Sequence, residues 1–131
     1  MGCSKSLELE VISRAIHYRK LQQYHAAFVG AEYNQYNGFA TNQPHKTEKE
    51  LNKLLDTRLK KKLLTLGKLA QKRKGNYLGN CAEVHASDKV LKQHHKVRVD
   101  QISFTKAYRC RTLQTIPYCA NCLDTFNVKN P

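Results

Sequence analysis

Gly79-Asn80-Cys81-Ala82-Glu83, with Ile116-Pro117-Tyr118-Cys119-Ala120-Asn121-Cys122 further along, is the pair of stretches on which the reading of this chain turns. Cys81, Cys119 and Cys122 supply three thiols for one metal ion, and Glu83 adds a carboxylate two residues after the first of them. Zinc favours four ligands, with thiolates at about 2.3 Å, and its catalytic sites keep the fourth position for water. Water bound there is acidified toward hydroxide at neutral pH. A Cys at the first turn of a helix has its thiolate stabilised by free backbone N–H groups. The pattern therefore predicts one helix opening at Cys81 and another at the Cys-x-x-Cys. Glu83 separates the two uses of zinc. A purely structural site has no need of a carboxylate there, whereas a hydrolytic one needs a group to take a proton from water and return it to the leaving group.

Working outward, the helix from Cys81 is expected to run toward Lys92, carrying Ala82, Val84, Ala86, Val90 and Leu91. His94 and His95 stand where they would cap its C-terminal end. Val97-Arg98-Val99 through Ile102 and Phe104 reads as a strand region. Upstream, Thr47 and Glu50 have capping-box spacing, and Leu51, Leu55, Leu59, Leu63, Leu66 and Leu69 mark one apolar stripe. A single basic helix over 47–74 is expected, ended by Gly75 and Gly79. No acidic residue occurs between Thr57 and Ala82, so Lys60, Lys61, Lys62, Lys72, Arg73 and Lys74 are assigned to phosphate contact. A solvated face is the plainer reading of the same charges. Residues 24–31 and 39–41 read as two extended runs around a turn-rich centre at Asn34, Asn37 and Gly38, hence a β-hairpin closed by Pro44. Residues 6–22 read as a helix capped by Ser6, with Leu9, Ile12 and Ile16 at helical spacing.

The 131 residues suit a single domain, with helix 6–22 accessory to a core over 24–131. Apolar residues make up 40%, enough for a core, and no apolar run is long enough to span a bilayer. Glu8 and Glu10 interrupt any secretory signal. Lys and Arg number 23 against 10 Asp and Glu, a net charge of +13 that favours a polyanionic partner, nucleic acid being the commonest. Five cysteines are an odd number, which argues against a complete disulfide framework and leaves Cys3 and Cys110 as free thiols. Met1-Gly2-Cys3-Ser4-Lys5-Ser6 matches an acylation pattern. In a domain cut from a longer bacterial polypeptide that match is coincidental, and no stable membrane association is expected.

The order Cys-x-Glu, a spacer of tens of residues, then Cys-x-x-Cys is the zinc-deaminase signature with three cysteine ligands. On these residues the chain resembles the cytidine-deaminase-like superfamily, and within it the YwqJ-type branch of bacterial polymorphic-toxin deaminases. That branch has a hairpin, a helix, Cys-Ala-Glu-Val-x-Ala, a strand, then Pro-x-Cys-x-Asn-Cys, and residues 81–86 and 119–128 follow it. The resemblance covers residues 24–131. It implies an α/β fold, a three-layer α/β/α sandwich with a small central mixed sheet. It also implies Zn²⁺ on Cys81, Cys119 and Cys122, Glu83 as the proton carrier, and a secreted toxin domain working in the cytoplasm of a target cell, neutralised in the producer by an immunity protein. Asn42 falls where nucleoside deaminases place a ribose-contacting Asn. Tyr108, Arg109 and Arg111 fall in the loop that borders the deaminase pocket, where an aromatic and two guanidiniums suit base stacking and backbone binding. Tyr118 departs from the commoner Pro-Cys and alters the pocket rim.

Two other readings of the Cys-x-x-Cys are weighed. A thioredoxin-like redox pair needs a βαβ unit before it and a sheet after it, and nine residues beyond Cys122 leave no room. A structural zinc site completed by Cys110 or by His85, one helical turn after Cys81, stays open. The functional expectation is hydrolytic conversion of cytosine to uracil in nucleic acid by a monomer. Single-stranded DNA is favoured because a duplex base must first be flipped out. RNA, duplex DNA and adenine remain open, as do a free-nucleoside deaminase and a non-catalytic, zinc-stabilised nucleic-acid-binding module.

Overall fold

Ser4 opens the first helix of the computed structural model, which describes residues 3–42, 44–126 and 128. Its Oγ accepts from the Leu7 amide at 3.2 Å, so α1 spans Lys5–Lys20 and the cap is Ser4 rather than Ser6. The reason is tertiary: Glu32 accepts from both the amide and the hydroxyl of Ser4 and ties the helix start to the sheet. The buried stripe is accordingly Leu7, Val11 and Ala15, while Leu9 is 67% exposed. Met1 and Gly2 of the acylation-like stretch lie outside the described residues.

β1 (Phe28–Tyr33) and β2 (Tyr36–Thr41) form the expected hairpin with a tighter turn, Tyr33 pairing with Tyr36. Asn34 takes φ 53°, a left-handed conformation that Asn tolerates. Thr47 then caps α2 (Glu48–Leu54) with the predicted capping box. The basic stretch is not one helix. Leu55 is extended at φ −77° and ψ 141°, and Asp56 starts α3 (Thr57–Leu64) by accepting from the Arg58 amide at 2.9 Å. Leu66 and Leu69 lie beyond α3, and β3 (Lys72–Arg73) and β4 (Asn76–Tyr77) form a small hairpin around Lys74 and Gly75.

α4 (Ala82–Leu91) opens directly after Cys81 as expected. Its end is closed by Arg58 rather than by His94 and His95. The Arg58 guanidinium, held by Asp56, donates to the carbonyls of Leu91, His94 and Val97. That contact explains the break before α3: Asp56 and Arg58 are needed at the foot of α4. The strand expected over 97–104 shrinks to β5 (Ser103–Phe104), preceded by a 3-10 turn at Val99–Gln101. β6 (Ala107–Tyr108), β7 (Thr115–Ile116) and α5 (Ala120–Phe126) complete the fold.

The main sheet runs β2-β1-β6-β7, with β5 also on β1, and every pairing is antiparallel. This corrects the mixed sheet. The crossover through α4 returns the chain in the direction of β2 but sets it beside β1, so neighbours oppose one another. Strand alternation then sorts the side chains. Phe28 and Tyr108 meet Val11 and Ala15 of α1 on one face. Val29, Ala31, Ala40 and Ala107 meet Ala86 and Val90 of α4 and the leucines of α2 and α3 on the other. Helices on both faces of a small sheet make a mixed α/β sandwich. Gly38 lets α4 in, since a Cβ there would stand 2.5 Å from the Ala86 carbonyl oxygen. Among the described residues no helix is long and apolar enough to cross a membrane.

Candidate active site

Gly79, at φ +95°, turns the chain into Cys81, which occupies the N-cap position of α4 without using its side chain as a cap. Asn80 pins the neighbouring loop, accepting from the Lys46 amide at 2.7 Å and donating to the Lys46 carbonyl at 3.3 Å. At the other end, the amides of Cys122 and Leu123 both bond the Cys119 carbonyl at 3.0 Å, which starts α5 and sets its two cysteines one turn apart. Tyr118 anchors this approach: its hydroxyl donates to the Thr105 carbonyl at 2.6 Å beside the sheet. The residue that departs from the resemblance thus has a structural task.

These two helix starts bring Cys81, Cys119 and Cys122 together, their sulfurs all within 4.8 Å, with Cys81 and Cys119 at 2.9 Å. A tetrahedral centre with sulfur at about 2.3 Å holds sulfurs about 3.8 Å apart, so the trio fits a zinc-sized thiophilic ion with shifts of about 1 Å. Hydrogen bonding shared with Cys122 and Cys81, together with the backbone amides of Cys122 and Asn121, holds the pKa of Cys119 well down. The same sharing pushes Cys81 and Cys122 up. A three-thiol group with one member held toward the thiolate form is the donor chemistry a soft or borderline cation takes. His85 stays outside it, its Nε2 at 3.0 Å from the Gly79 carbonyl, and Cys110 packs on the α1 face. Neither completes a four-ligand structural site.

Glu83 is 6% exposed, and its Oε2 accepts from the Cys122 thiol at 3.4 Å. Burial raises its pKa, with the Cys119 thiolate adding to the effect. Cys81, Glu83 and Cys119 all line one pocket of about 560 Å³, the size of a small-ligand site. Asn42 and Arg109 line it too. Asn42 Oδ1 accepts from the Ala27 amide at 3.1 Å, which fixes the side chain at the end of β2.

The other predicted contacts fall elsewhere. Tyr108 is 7% exposed on the α1 face, and its hydroxyl donates to Glu8 Oε2 at 2.7 Å, so its ring is not presented to a base. Sequence parity decides this: Tyr108 and Arg109 are neighbours and point to opposite sides of the sheet. Arg111 lies over the Tyr24 ring, 5.5 Å from its centre. Lys61 and Lys62 border a separate hollow with Arg98 and Phe126, and Lys60 donates to the Asn52 carbonyl. Lys72 is exposed, whereas Arg73 and Lys74 reach Asp124 on α5 at 2.8 and 3.1 Å. Pocket residues that the sequence reading does not assign to the site are His45, Asn76, Tyr77 and Asn80. Asn80 stood inside the quoted motif. His45 lies before and Asn76 and Tyr77 after the helix expected over 47–74, and the sequence reading gives neither segment a role in the site.

No family model, no curated protein and no solved structure matches the chain.

Proposed function

We propose that this chain is a zinc-dependent hydrolytic deaminase that converts cytosine to uracil in nucleic acid, with single-stranded DNA the favoured substrate. One observation carries the reading: a buried carboxylate, Glu83, shares a pocket with Cys81 and Cys119 of a three-thiol group that fits zinc and that, among the described residues, no fourth side chain closes. Bound at those thiolates, zinc supplies a Lewis acid that acidifies water and stabilises charge on the attacking oxygen. Glu83 takes one proton from the attacking water and delivers it to N3 of the ring. It carries a second to the exocyclic amine as the new C4–O bond stays and the C4–N bond breaks, so that water and cytosine leave as uracil and ammonia. Asn42 and Arg109 orient the nucleotide at the pocket wall. The net charge of +13 favours a phosphodiester chain as the bearer of that base. The same reading makes the domain a secreted toxin acting in a target-cell cytoplasm, with an immunity partner in the producer.

Zinc-loaded wild type and Glu83→Gln, incubated with matched cytosine-bearing single-stranded DNA, duplex DNA and RNA, test the proposal by C-to-U scoring. Conversion by the wild type alone is expected. Zinc-bound wild type that converts none of these polymers, nor free cytidine, nor adenine, would overturn catalysis and leave a nucleic-acid-binding module.

A further inference from the structure

Asn121 stands between Cys119 and Cys122 in sequence and is 3% exposed, and its side-chain amide bonds away from them. Both ends of its amide go to the β3–β4 hairpin. Oδ1 accepts from Arg73 Nη1 at 3.0 Å, and Nδ2 donates to the Asn76 carbonyl at 3.1 Å. Arg73 Nη1 also reaches Asp124, three residues further along α5, at 2.8 Å. The hairpin is only two residues a side, too short to be stable alone. Leu69 and Leu78 hold its base in the core, and the clasp ties its outer residues to α5. The clasp has two loads: Asn76 and Tyr77 line the pocket wall, and the turn it grips carries Cys119 and Cys122.

We propose that Arg73 and Asn121 are positioning residues, a clasp that fixes the Cys119–Cys122 turn for metal binding and, through the same bonds, sets the Asn76–Tyr77 wall of the pocket. Outer groups that orient metal ligands typically change metal affinity by about 10- to 100-fold when removed. The inference rests on metal binding by the three cysteines and not on the reaction catalysed. The basic character of Arg73 is then spent inside the protein, which removes it from the nucleic-acid-facing charge.

Chelator competition and Co²⁺ substitution test this without any turnover assay. Zinc is d¹⁰ and spectroscopically silent, so Co²⁺ reports ligand geometry through its d–d and thiolate charge-transfer bands. Arg73→Ala is expected to lose Zn²⁺ to a chelator about 10-fold more readily than wild type, with altered Co²⁺ bands, and Arg73→Lys to recover part of the loss. Asp124→Asn, which removes the exposed ion pairs but leaves Arg73 on Asn121, is expected to stay within about twofold of wild type, below that range. Arg73→Ala with Asn121→Ala is expected to be no worse than the more damaging single change, as for one shared interaction. Wild-type retention and spectrum in Arg73→Ala would overturn the clasp, and this variant decides the matter even where Asn121→Ala fails to fold. An equal loss in Asp124→Asn would overturn it too, because general hairpin docking would then suffice. Wild type that takes up no Co²⁺ would instead bring down the metal site itself.

Discussion

On one face of the sheet, α1 packs Val11 and Ala15 against Phe28, Tyr108 and Cys110, and a carboxylate at its edge, Glu8, accepts from Tyr108 Oη and from the Lys106 amide. On the other face, α4 buries Glu83, His85 and Asp88 among its apolar residues, each at 6% exposure or less. The first face keeps its charge at the rim and makes an ordinary apolar contact. The second takes ionisable groups out of water, which destabilises a fold unless each is compensated. Asp88 is compensated by the Asp56 amide and Lys92. Among the described residues Glu83 has no ion pair, only the Cys122 thiol and its own backbone amide. A buried carboxylate left in that state, in a pocket, is the feature on which the proposed chemistry rests.

The largest expected effect sharpens that contrast. Glu83→Gln is expected to lower deamination by about 10²–10⁴-fold while the melting temperature holds or rises, because a neutral amide replaces a buried acid. A fall of several degrees with activity retained would make Glu83 a core residue like those on the α1 face. Phe28→Ala is the mirror experiment. Removing a ring that is 2% exposed and edge-on to Tyr18 at 5.2 Å is expected to cost about 3–5 kcal/mol, read by denaturant unfolding, with zinc retention unchanged. Loss of zinc at native conditions would show the two faces to be coupled. Tyr108→Phe comes next, deleting one bond to a carboxylate for about 1.5–3 kcal/mol and leaving turnover alone. A collapse of turnover would restore Tyr108 to the pocket.

The smallest effect concerns His85. Burial holds its pKa below the usual 6.5, so the unfolded chain binds the proton more readily than the folded one. Its contribution to stability is complete above about pH 6.5 and declines as the pH falls below that toward the folded value. His85→Gln is expected to flatten that part of a melting-temperature profile. An unchanged slope would place the acid sensitivity on other groups.

Much of the site was legible because it is local. Cys119 and Cys122 share a side of one helical turn whatever surrounds them, and Cys81 and Glu83 belong to one helix start. The 47–74 stretch was misread for the opposite reason. Its leucine spacing fits one helix, and Leu51, Leu55, Leu59 and Leu63 are indeed buried, but the same burial is reached by two helices with a break. Which of the two forms depends on Asp56 and Arg58 serving the far end of α4, a partner distant in sequence.

By itself, then, the sequence determined the three-cysteine group, the carboxylate near it, the hairpin and the α/β class, since capping, helical spacing and strand alternation act over a few residues. Only the tertiary structure decided that the sheet is wholly antiparallel, that Tyr108 faces α1, that Arg58 and Arg73 are internal fasteners, and that His45 and Tyr77 wall the pocket. Those outcomes hang on which elements meet, and a long side chain bonds whatever the fold brings within reach.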